Sequence, residues 1–109
     1  SSLSAANTDE LASENVIAEQ RSRLSVAPIL RRIFDIAAKN LPENELVTLT
    51  ALFMYRAKEN CDSLAIRQNR KPKEVEQIAM DAKAHLLLHL QDEQMIRAVN
   101  NWDPQKLRL

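Results

Sequence analysis

The sequence predicts an all-α fold: one compact domain of four to six helices, carrying a helix-turn-helix-like unit. Three observations lead there. Alanine and leucine number 14 and 15 of the 109 residues, against 15 for valine, isoleucine and threonine together, a bias toward helix over strand. Apolar residues make up 45% of the chain and charged ones 28%, enough for a core and too apolar for disorder. Over long stretches the apolar positions recur at spacings of three and four.

Residues 1–8 are small and polar and read as a flexible tail, followed by a helical domain over 9–104 and a short tail over 105–109. Thr8 is placed to cap a first helix from Asp9 to about Gln20, with its acids in the first turn, where the helix dipole favours them. Ser25 is the expected cap of a second helix. Its stripe is Val26, Ile29, Leu30, Ile33, Ile36 and Ala37, with Phe34 beside it, and Lys39, Asn40 and Pro42 signal its end. Pro42 suits the first turn of a third helix with Leu46, Leu49, Phe53, Ala57 and Cys61 inward. Periodicity alone leaves open whether this helix ends near Asn60 or runs to Asn69, or whether Asp62 caps a separate short one. Pro72 opens the next helix, with Val75, Ile78, Ala79, Ala82, Leu86 and Leu90 along one side. Leu87 and Leu88 widen that arc, which suits a central helix or one that meets a partner. Asp92 either caps a last helix bearing Met95, Ile96 and Val99 or lies within a continuation of its predecessor. Asp103-Pro104 ends the helical region.

Glycine is absent, and this decides more about function than any residue present. Phosphate-binding loops, dinucleotide fingerprints and nucleophile elbows each need a residue without Cβ at fixed places. With no glycine to end helices, asparagine is the next residue to accept the left-handed conformation, and Asn40, Asn60, Asn69 and Asn100 are the candidates. The single Cys61 cannot form an intramolecular disulfide, which favours a reducing, cytoplasmic setting. It falls on an inward stripe and reads as apolar filler. No apolar run approaches the length of a membrane span, so no membrane association is expected.

Formal charge is zero but segregated. Residues 1–20 carry four acids and no base, and residues 21–32 carry four arginines. Residues 56–73 hold six bases against Glu59 and Asp62, and residues 74–95 hold five acids against Lys83. A neutral molecule can therefore present a local basic patch.

The stretch from Cys61 to Met80 resembles a helix-turn-helix. Leu64-Ala65 supplies the apolar-small pair that lets a second helix approach closely. Asn69 follows four residues later, at the turn position that needs positive φ, and Val75 and Ile78 fall where the second helix must seat on the core. Gln68 and Arg70 depart from the pattern, since both stand where an apolar side chain is usual. On this reading residues 62–81 contact DNA. Arg67, Arg70, Lys71 and Lys73 would lie near phosphates, with Glu74 and Gln77 nearest the base edges and Glu76 beside them.

His85 and His89, four residues apart, share a helix face as two metal ligands could. They flank leucines and lack the glutamate of a zinc protease, so packing residues are expected and no metal or cofactor. No nucleophile–base set is discernible, and catalysis is not expected. The sequence thus points to a small non-enzymatic regulatory protein, self-associating and acting on DNA in transcription. The competing expectation is a helical adaptor, inhibitor or dimerisation module that binds a protein through Leu87, Leu88 and Trp102.

Overall fold

Without glycine, the helices end on proline, asparagine and side-chain caps, and these fix the order of elements in the computed structural model, which describes residues 10–107. The expected cap Thr8 lies outside the described residues. Helix α1 spans Glu14–Ser22, and Ser13 caps it by accepting from the Val16 N–H at 3.3 Å. It starts five residues later than Asp9, because the preceding chain is engaged elsewhere: Leu11 pairs with Pro42, and the Glu43 N–H donates to the Glu10 carbonyl at 2.8 Å.

Helix α2 spans Pro28–Asn40, with Pro28 in its first turn. Ser25 does not cap it; its Oγ accepts from the Ala27 N–H within the connecting turn. Val26 precedes the helix and is 80% exposed, so it drops out of the expected stripe, whereas Ile33, Phe34 and Ala37 are fully buried.

The third helix departs most from expectation. Helix α3 covers only Glu43–Leu49 and widens into a π-helical turn over Thr50–Met54, closed by the Tyr55 N–H donating to the Thr50 carbonyl at 2.9 Å. Tyr55 is extended and pairs with Leu24. This strips the helix of its continuation, and Ala57 is exposed rather than inward. Asn60, not Asp62, caps helix α4, Cys61–Gln68. Its Oδ1 accepts from the Ser63 N–H at 2.8 Å, while Ser63 Oγ accepts from the Asn60 N–H at 3.2 Å, a reciprocal capping box.

Helix α5, Pro72–Leu87, is the longest and buries Val75, Ala79, Ala82 and Leu86 against its neighbours. Asp92 begins a separate helix α6, Glu93–Asn101, its Oδ1 accepting from the N–H groups of Gln94 and Met95. A 3₁₀ turn over Pro104–Leu107 folds back on α5, where Gln105 Nε2 donates to Glu76 Oε2 at 2.8 Å. The radius of gyration, 13.0 Å, is that of a single folded domain of about 100 residues. The fold is all-α, with six α-helices and no strand among the described residues. No described helix is long and apolar enough to cross a membrane.

Candidate nucleic-acid interface

The site is built on the junction of α4 and α5. Asn69 adopts φ 56° and ψ 48°, the one positive φ among the described residues. The chain reverses there because the Arg70 N–H reaches back to the Ala65 carbonyl at 2.9 Å, closing the end of α4 around a left-handed residue. Ala65 is 1% exposed and Leu64 fully buried, so the first helix offers the close approach that the second needs. Val75 is buried and Ile78 half-buried, which seats α5. Gln68 is half-buried, and its Oε1 is buried with no hydrogen-bond partner.

The four candidate cations separate. Arg67 is clamped by Glu59, its Nη2 and Nε donating at 2.6 and 3.3 Å. That hydrogen bond, reinforced by the carboxylate charge, holds its pKa above the ordinary arginine value. Its charge is spent inside the molecule, and it leaves the phosphate-contact set. Arg70, Lys71 and Lys73 are exposed, and none of them makes an ion pair among the described residues. Arg70 also borders a polar cleft of about 360 Å³ together with Glu10, Glu43, Asn44, Val47 and Gln68.

The two candidate base readers are engaged within α5. Glu74 turns its carboxylate back to accept from the Lys71 N–H at 2.8 Å, acting as the N3 half of a cap. Gln77 donates from Nε2 to Asp81 one turn on, at 2.9 Å. Both side chains are exposed, and each is oriented by a bond within its own helix or that helix's cap.

The residues proposed for a protein interface also divide. Leu88 is 80% exposed and Leu87 half-buried, beside a groove formed with Met80, Ala84 and Pro104. Trp102 is only 7% exposed and stacks on Phe53 with ring centroids 5.0 Å apart, so it is a core plug and not a surface contact. His85 Nδ1 meets the buried Glu45 carboxylate at 2.8 and 3.0 Å, which ties α5 to α3. Cys61 is fully buried with its Sγ near the Pro104 carbonyl.

A further cluster had no signature in the sequence. Pairing of Leu24 with Tyr55 sets Arg23 directly opposite Arg56, joined by the Arg56 N–H donating to the Arg23 carbonyl at 3.1 Å. The partners are 33 residues apart, and the only trace in the sequence is that both lie in basic segments.

No family model, curated protein or solved structure matches this chain, so the functional reading rests on the site's own geometry.

Proposed function

We propose that this is a non-enzymatic regulatory protein that binds duplex DNA through the α4–α5 junction. The left-handed turn at Asn69 carries the reading, because it ends α4 and sets Arg70, Lys71 and Lys73, exposed and without an ion pair among the described residues, around the start of α5. With Glu74 and Gln77 held by their own helix, backbone contact outweighs base readout. Binding should therefore be strongly salt-dependent and weakly selective for sequence. Self-association would raise the affinity by doubling the contacts.

The test is duplex binding across a salt series. Affinity should fall steeply with salt, and Arg70→Glu and Lys71→Glu should each weaken it and lower the salt slope by about one while leaving the fold intact. Unchanged affinity in both variants would remove the junction from the interface.

Exposure of Leu88 at the end of α5, together with the apolar groove that Met80, Ala84 and Leu87 line on that helix, favours a second reading, a module that pairs with another copy of itself through this helix. Light scattering discriminates the two. Leu88→Glu should convert an oligomer to monomer without loss of helicity, and a monomeric parent protein would end this reading.

A further inference from the structure

Arg23 and Arg56 face each other across the Leu24–Tyr55 bridge, and neither makes an ion pair among the described residues. Two like charges lining one small pocket repel each other. Both arginines are nevertheless held in place. The Arg23 guanidinium lies 4.5 Å above the ring of Tyr55, itself buried, and Arg56 Nη2 donates to the Ser22 carbonyl at 3.1 Å. Between them opens a pocket of about 140 Å³ lined by Arg23, Tyr55, Arg56 and Ala57. At roughly 30 Å³ per water this holds several oxygen-sized groups, enough for one tetrahedral oxyanion.

The geometry points to a phosphate-group site in this pocket, with the two guanidinium groups as its donors. A guanidinium presents several N–H groups in a planar fork suited to phosphate oxygens, and each arginine here uses only part of its set internally. Fixing both side chains beforehand lowers the entropy lost on binding, and an anion between them removes their mutual repulsion. The nearest acid along the chain, Glu59, is occupied by Arg67. That same pair ties the segment bearing Arg56 to α4, the helix that ends at Asn69. Resting on the nucleic-acid reading, the occupant is a backbone phosphate of the same duplex, a second anchor away from α5.

Two measurements on the full chain test this. Inorganic phosphate, added at constant ionic strength, should shift the Arg23 and Arg56 Nε–H resonances saturably and raise the thermal midpoint, whereas the exposed Arg31 and Arg97 should not respond. Arg56→Gln should abolish that response yet leave the free protein as stable as the parent or more so, because the repulsion is gone; a purely structural arginine would lower stability instead. Arg23→Gln is the second variant, and each should weaken duplex binding several-fold with a salt slope lower by about one. No phosphate shift in the parent protein, or equal shifts at Arg31 and Arg97, would overturn the site whatever the duplex does. Phosphate shifts without duplex binding by the parent protein would support the pocket, assign it to a free phosphate compound and overturn the nucleic-acid reading alone.

Discussion

At Asn69 a single backbone angle decides whether the chain is a rod or a corner. A residue with a Cβ pays about 1–2 kcal/mol to enter the left-handed region, and asparagine pays less because its side chain can bond locally. Asn69→Ala should therefore destabilise the protein by about 1 kcal/mol in urea denaturation, and Asn69→Gly should stay within a few tenths. Equal losses in both would mean that the asparagine side chain, not the angle, matters there. His85 is the second residue whose chemistry makes a prediction. Its hydrogen bond to Glu45 raises its pKa above the ordinary histidine value of about 6.5, opposed by desolvation and helped by the charges of Glu45 and Asp81. Since the folded value is the higher one, the stability gained is fully present below the unfolded pKa and is lost as pH rises through the folded one. His85→Gln should thus cost more stability at pH 5.5 than at pH 8. A loss independent of pH would show that the pair does not depend on the imidazolium charge. With His85 half exposed, the effect is that of a screened pair and is small.

Elements were legible from sequence where local chemistry specifies them and hidden where a distant partner does. The proline start of α5, the Asp92 cap and the Asn69 turn all follow from residues within four positions of one another, whereas α2 opens at Pro28 and not at the expected Ser25 cap. The end of α3 does not. Leu46, Leu49, Phe53 and Ala57 continue one helical stripe, and only the pairing of Tyr55 with Leu24 shows why the chain leaves it after Met54. Likewise the Leu11–Pro42 pairing delays α1, which no local signal near Thr8 reveals. The candidate site divides in the same way. The turn and its exposed cations were readable, but the loss of Arg67 to Glu59, the burial of Trp102 against Phe53 and the Arg23–Arg56 pocket all arise from tertiary contact. Caps offer the element-scale test. Asn60→Ala removes the acceptor of the Ser63 N–H at the start of α4 and should cost about 1 kcal/mol. If α4 instead holds its start through burial of Cys61 and Leu64, the loss will fall below a few tenths.

Across the whole molecule, burial is distributed unevenly, and local stability should follow it. Helix α5 places Val75, Ala79, Ala82 and Leu86 at zero exposure and packs on α2, α3, α4, α6 and the 3₁₀ turn, so it cannot open without dismantling the core. Truncating one of these side chains, as in Leu86→Ala, should cost about 2–5 kcal/mol. Helix α1 buries one residue, Gln20, whose Oε1 accepts from the hydroxyls of Thr50 and Tyr55, while Val16 and Ile17 are only half-buried. Opening α1 therefore exposes little apolar surface and frees a few buried polar groups, far less than global unfolding requires. Native-state hydrogen exchange should find α1 amides exchanging through a local opening that is insensitive to denaturant, with α5 amides exchanging only through global unfolding. Leu86→Ala should then lower protection throughout α5 by the full loss of stability and leave α1 protection unchanged. Gln20→Ala should lower α1 protection beyond its effect on global stability, because the polar tether to Tyr55 is gone. Identical opening free energies for α1 and α5 would mean that the first helix is part of the cooperative core. Its end, which carries Arg23, would then be as rigid a wall of the pocket as Arg56 opposite.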